Sequence, residues 1–590
     1  MGDYKIKDIY DGGYSALEPV YGNLFKGYGV SAESIGMSTD ARTANVLKEI
    51  SESISSGEKT VELTQVSPEV FEAIPGGKEF NQLKELNRLS KLTGVDITIH
   101  APVVEPSGMS REGWSEPNRE AVERQMNLAV ERSHEVSPEG NVPVTFHSSA
   151  ILPAPEITKT KKGEEITGML VINSDSGSIN KISLKERHFA GEEKPNIQKE
   201  IEKINEESWR NSLTHLAYNT ERANEIISHE GFINALAEAE KKAGKNLKPE
   251  EQQAMRAMNL GSAFLNDSYR ELKGLFDVAY NNVSEQDKRN LEELNRQIKE
   301  KVEKINEEPD SRKSLILKRE IVEQGFETLN KLQIPEIYKP LDDFSQDKST
   351  TTFANVAWNS YKKFKDKAPI ISIENPPAGG AFARGEDLKN IVEKSRKKFV
   401  EKAVKEGISK SRAEAAAEKL IGVTWDVGHI NMLRKFGFEE KDILKETEKV
   451  APLVKHVHLS DNFGFEHTEL PMGMGNVPTK EIMERLSKKG FKGKKIAEAM
   501  SWWQHFSPGG KQNPPFKPTL QAMGSPVYAM EMAPLWNQAP SSQGYFTGMG
   551  TMLPDISYQT FGAGFAQLPT ELGGQQAGAQ GSRMSGRQME

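Results

Sequence analysis

Nine acid and imidazole side chains in this chain are of the kinds that hold divalent cations: His100, His147, Glu374, Asp426, His429, His458, His467, Glu469 and Glu498. Three of them fall in one glycine-bounded stretch, HVHLSDNFGFEHTELPMGMG, at 456–475. The sequence contains no cysteine, so zinc or manganese would have to be bound by imidazole nitrogen and carboxylate oxygen. Five histidines and four carboxylates gathered at one place would desolvate and repel one another unless cations lay between them. Isolated histidines near strand ends are more often hydrogen-bonded structural residues, and His134, His188, His215, His229 and His505 are read that way. His456 is expected to alternate with His458 on its strand and to point the opposite way.

Residues so far apart converge only if the elements carrying them share one end. Short β-branched runs alternate with stretches of helical period from residue 33 onward. The strand candidates lie at 34–39, 60–65, 96–102, 143–149, 369–376, 422–429, 454–461 and 494–500. Eight such units predict an α/β fold, a (β/α)8 TIM barrel, whose strand C-termini surround one mouth. On that frame His100 ends strand three, His147 strand four, Glu374 strand five, Asp426 and His429 strand six, and His458 strand seven. Glu498 lies in strand eight, and His467 and Glu469 follow in the loop after strand seven.

The 590 residues exceed a minimal barrel. Residues 1–154 and 351–503 are expected to form its two halves, and 155–350 a hairpin plus helical insertion between strands four and five. That insertion offers a surface for a protein partner, although its charge runs read more simply as solvated helix faces. The 504–590 segment is a low-complexity tail rich in Pro, Gly and Gln, and its last part is expected to be disordered. The net charge of −8 gives no global footprint for nucleic acid. The absence of a leader pattern and of any run of about 18 apolar residues predicts a cytoplasmic protein without membrane association.

The fragments ITIHAP, VTFHSS, ISIENP, WDVGH, HVHLSDN, HTELPMGMGN and IAEAM resemble, in order, the strand-end motifs of the endonuclease IV family (AP endonuclease family 2) within the xylose isomerase-like TIM barrel superfamily. The resemblance covers 33–150 and 352–500. It implies a site for about three zinc ions: His100, His147 and Glu374 for the first, Glu374 bridging to a second with Asp426, His458 and Glu498, and His429, His467 and Glu469 for the third. Family members place an aspartate before a histidine in the last pair, whereas this chain reads HTE, with nitrogen and oxygen donors exchanged. The implied activity is hydrolysis of a DNA phosphodiester 5′ to an abasic site, in base excision repair. Glu374 and Glu498 are the carboxylates expected to take part in catalysis, beside ions that lower the pKa of a bound water and neutralise developing charge. Arg384 and Arg434 could supply phosphate contacts, against the plainer reading of solvated loop cations. Val103 follows HAP where relatives often carry tyrosine, and the loop TQVSPEVFEAIPGG at 64–77 lacks the arginine expected of a minor-groove loop.

The alternative is a sugar or sugar-phosphate isomerase or epimerase of the same superfamily, with one Mn or Mg held by Glu374, Asp426, His458 and Glu498. A third reading makes the chain mainly an interaction module. A single-cation isomerase has little need of His100, His147, His429, His467 and Glu469, so their joint presence favours the multinuclear site.

Overall fold

The computed structural model describes residues 35–39, 46–55, 58–64, 82–160, 163–184, 196–227, 248–307, 311–470, 472 and 475–498. The loop at 65–77, the 504–590 tail, His188, His229 and His505 lie outside them. The described residues divide into two compact units, one running up to Thr167 and resuming at Asp342, the other Gly168–Leu341.

The first unit is a closed parallel barrel. Its strands are β1 (Ile35–Ser38), β2 (Thr60–Thr64), β3 (Asp96–His100), β4 (Pro143–His147), β5 (Ile370–Glu374), β6 (Ile421–Asp426), β7 (Val454–Leu459) and β8 (Lys495–Ala497). They follow one another around the wall in chain order, and β8 closes on β1. Strand side chains alternate faces with period two, and here the alternation separates apolar from polar. Val61, Leu63, Ile97, Ile99, Val144, Phe146, Val423 and Trp425 are all buried on the outer face, toward the helices. The Trp425 indole N–H donates to Thr447 Oγ, 3.2 Å away, in the helix Glu440–Val450. The inner positions carry hydroxyl, carboxylate and imidazole groups. Thr145 and Thr424 hydroxyls lie 3.0 Å apart, and Thr424 donates to Ser372 Oγ at 2.7 Å. A polar layer thus fills the barrel below its mouth, and buried polar groups persist only because they bond to one another. At β1 the interior has room for little more than glycine: a Cβ on Gly36 would lie 2.2 Å from the Thr60 carbonyl oxygen.

Strand register sets the site. His147 pairs with Glu374 across β4 and β5, Asp426 with His458 across β6 and β7, and Glu62 with Thr98 across β2 and β3. Partners in register point to the same side, so each pair enters the interior together.

The strand Gly163–Asn173 runs into the second unit, where its residues from Gly168 onward pair antiparallel with Ile179–Ser183 and with Tyr338–Pro340. Helices Ile197–Ile227, Pro249–Asn282, Glu285–Glu307 and Ser311–Lys331 pack around Trp209, Leu216, Leu265, Leu291, Val322 and Leu329. Their charged residues form short-range pairs on the outside, such as Lys288 with Glu285 at 2.7 Å. His215 belongs to this structural class, 2.9 Å from Glu271. Among the described residues no helix is long and apolar enough to cross a membrane.

Candidate metal centre

His100 closes β3 and turns its Nδ1 to the Ala101 carbonyl oxygen at 2.9 Å. That hydrogen bond takes the Nδ1 proton and leaves Nε2 facing Glu374 Oε2 at 3.2 Å. His147 Nε2 lies 3.2 Å from the same oxygen, and the two imidazole rings meet edge to face at 5.3 Å. The other Glu374 oxygen, Oε1, lies 2.7 Å from His458 Nδ1, which is also 3.1 Å from Glu498 Oε2. Glu374 therefore addresses two donor sets, one through each oxygen. Glu374, Asp426, His458 and Glu498 each place a ligand atom within 4.8 Å of the others, and all four are buried. Glu498 stands one residue beyond the end of β8.

His429 departs from the sequence expectation. It is not on β6 but in the five-residue helix Val427–Asn431 that follows, whose N-cap is Asp426. The Asp426 carboxylate accepts from the His429 backbone N–H at 2.6 Å, the usual way an aspartate satisfies an open helix start. Turning there sends the ring to Asn375, whose carbonyl accepts from Nδ1 at 2.7 Å, and leaves His429 Nε2 2.7 Å from His467 Nε2. His467 Nε2 is also 3.2 Å from Glu469 Oε1. Glu469 has φ +49, the left-handed region that a non-glycine residue adopts at a cost of order 1–3 kcal/mol. The rings of His147 and His429 are 6.2 Å apart, so this outer group adjoins the inner one.

Burial and charge act in opposition here. Burial alone would lower the His100 pKa, but the hydrogen bond to Glu374 and its charge outweigh that and raise it to about 9. Burial likewise opposes protonation of His458, and Glu374, Glu62 and Glu498 lift it well above the usual imidazole value. Burial would raise Glu374, but His458 and His147 hold it well below the ordinary carboxylate range. Asp426 is pushed well up by burial and by the charges of Glu498 and Glu374. His429 is pulled down to about 3 by burial and by His467, so it stays neutral with its Nε2 lone pair turned to His467. Asp426 Oδ2 is buried with no hydrogen-bond partner among the described residues. A carboxylate oxygen left without a donor, beside His100 and His429, whose Nδ1 protons go to backbone carbonyls, is the donor chemistry of a divalent cation site.

The strand reading of His456 is corrected. Positions two apart share a face, so His456 points inward like His458, fully buried, with Nε2 3.1 Å from Glu62 Oε2. Glu62 was missed, although a lone charge at an inner position of TVELT was the available signal. Glu105 was missed as well: its Oε2 accepts from Ser149 Oγ at 2.7 Å and from the Ala150 N–H at 2.9 Å, tying the loop after β3 to the loop after β4. Of the expected phosphate contacts, Arg384 is engaged by Glu164 at 2.6 Å and Glu446 at 2.8 Å. Arg434 donates to Asn431 Oδ1 at 2.9 Å. His134 stacks on Phe364 at 3.8 Å, outside the site.

The loop carrying His467 is pinned where Asp461 and Leu470 exchange backbone hydrogen bonds of 2.7 and 2.8 Å. Beyond it, a Cβ on Gly475 would lie 2.3 Å from the Asn462 carbonyl oxygen and 2.4 Å from Asp461 Oδ1. Gly475→Ala is therefore expected to cost about 1–3 kcal/mol of stability, read as a lowered melting temperature. An unchanged melt would mean that the loop has another way to lie.

Residues 407–513 match a family model described as a xylose isomerase-like TIM barrel. The matched segment contains β6, β7 and β8 and six of the nine residues, Asp426, His429, His458, His467, Glu469 and Glu498. An uncharacterized protein of Methanocaldococcus jannaschii, MJ1311, is 29% identical over 75 residues, 13% of this chain and 24% of that protein. The chain thus spans about a quarter of that relative. The crystal structure of a D-tagatose 3-epimerase-like protein aligns with 85% of this chain and 98% of its own, at 13% identity and a TM-score of 0.34.

Proposed function

We propose that this xylose isomerase-like barrel is a divalent-metal-dependent phosphodiester hydrolase of the endonuclease IV kind, with abasic DNA as its substrate and zinc as its metal. The observation that carries the reading is the His429–His467 contact, Nε2 to Nε2 at 2.7 Å with Glu469 alongside. It adds a nitrogen-rich donor group to the four residues that would suffice for one cation. His100, His147 and Glu374 would hold one ion, Glu374, Asp426, His458 and Glu498 a second, and His429, His467 and Glu469 a third. Bound divalent ions supply Lewis-acid stabilisation of a phosphoryl group and acidify a water molecule.

The chain's own groups do the positioning. Glu374, held ionised by the histidines around it, keeps the two inner donor sets in register. Complete burial of Glu374, Asp426 and His458 keeps bulk water from the base of the site. The His467 side chain, 35% exposed, is the edge that an incoming strand would meet.

A second reading is supported by the compactness of the inner four residues, which form a complete single-cation set by themselves. Glu374 and Glu498 would then exchange a proton α to a sugar carbonyl beside one Mn or Mg. Elemental analysis separates the two, with about three ions per chain expected for the hydrolase and about one for the isomerase. Replacing His467 and Glu469 together by alanine should remove about one ion and slow cleavage of an abasic duplex far more than it weakens binding to it. Unchanged metal content in that variant, or ketose epimerisation with one ion per chain, moves the assignment to the second reading.

A further inference from the structure

Beneath the inner donor set lies a second buried group that neither reading uses. Glu62 of β2 is fully buried and meets two histidines of β7. Its Oε2 accepts from Thr98 Oγ at 3.0 Å and faces His456 Nε2 at 3.1 Å. Its Oε1 lies 3.0 Å from His458 Nε2, the nitrogen on the far side of the ring from Glu374 and Glu498. The two atoms meet as a buried ion pair rather than an aligned hydrogen bond, and neither has a hydrogen-bond partner among the described residues. Thr98 and His456 hold the carboxylate through Oε2, which leaves the unbonded Oε1 turned toward His458 Nε2.

We propose that Glu62 is a positioning residue for the metal centre: it retains the Nε2 proton of His458, so that Nδ1 is the nitrogen presented to a cation. The proposal rests on the metal-dependent reading above. An imidazole can offer only one nitrogen to a cation while the other keeps its proton, and a carboxylate behind the ring both selects the tautomer and strengthens the donor. His456 completes the device by holding Glu62 in place.

The test is zinc binding by the metal-stripped protein, measured by chelator competition, with cobalt absorption as an independent view of the ligand field. Glu62→Ala should weaken the affinity of one ion by about 10–100-fold, the usual consequence of losing such a partner. Glu62→Gln keeps the shape and an acceptor oxygen but loses the charge, and should fall between Glu62→Ala and wild type. The ion at His429 and His467 should be retained in both. If Glu62→Ala does not fold, Glu62→Gln decides. Wild-type affinity and an unchanged cobalt spectrum in Glu62→Gln, even with a lower melting temperature, would leave Glu62 a structural residue and overturn the proposal alone. A wild-type protein that takes up no ion would remove the metal-dependent reading and this inference with it.

Discussion

Glu374→Ala is expected to lose about two of the bound ions and, with them, activity by 10²–10³-fold or more. The carboxylate is fully buried, and its two oxygens face His100 and His147 on one side and His458 on the other. Alanine removes a donor from both inner sets at once. Glu374→Gln is the informative companion. Its amide can accept on one side but turns an NH2 toward the other, so it should fold better than Glu374→Ala while still losing ions. Metal analysis and turnover on the same preparations check the prediction. Full metal content in Glu374→Ala would remove the shared carboxylate from the account.

The metal-free protein is expected to lose stability as pH rises from about 6.5 to 9. In the folded chain the His100 pKa is raised from 6.5 to about 9, chiefly by Glu374 acting against burial. A group whose folded pKa is raised contributes stability fully present below its unfolded pKa, here 6.5, and lost as pH climbs through the folded value. The contribution of His100 is up to ~3 kcal/mol, and His458, shifted in the same direction, adds to it. The acid side has the opposite sign. Glu498 is lowered from 4.5 to about 2 because His458 overcomes the effect of burial, so its contribution is present above pH 4.5 and fades below it. Cation binding replaces the imidazole protons, so zinc should flatten the alkaline limb and release protons when added at pH 7. Melting curves from pH 6 to 9.5, with zinc and with chelator, provide the check. A chelated protein equally stable at pH 6.5 and 9 would show that His100 and Glu374 are not paired as described.

The alternation of residue types along each strand was enough to place the nine donor residues at one end of a barrel, because parallel β/α units close with all strand C-termini together. The donor chemistry was legible too, since a chain without cysteine leaves nitrogen and oxygen ligands. Three features were settled by tertiary structure. His429 belongs to a short helix because the Asp426 side chain caps it, and that choice turns the ring toward His467. Glu62 and His456 are 394 residues apart in sequence and meet only when β8 closes on β1, so neither residue's surroundings foretold the contact. The HTE sequence names a nitrogen and an oxygen donor, but the distance between His467 and His429 depends on a loop pinned by Asp461, Leu470 and Gly475. Local pattern determines which face a side chain takes, because pleat and helix periods are properties of the backbone itself. Which atoms come within 3 Å is decided by ring closure and loop anchoring, which sum contacts from the whole chain.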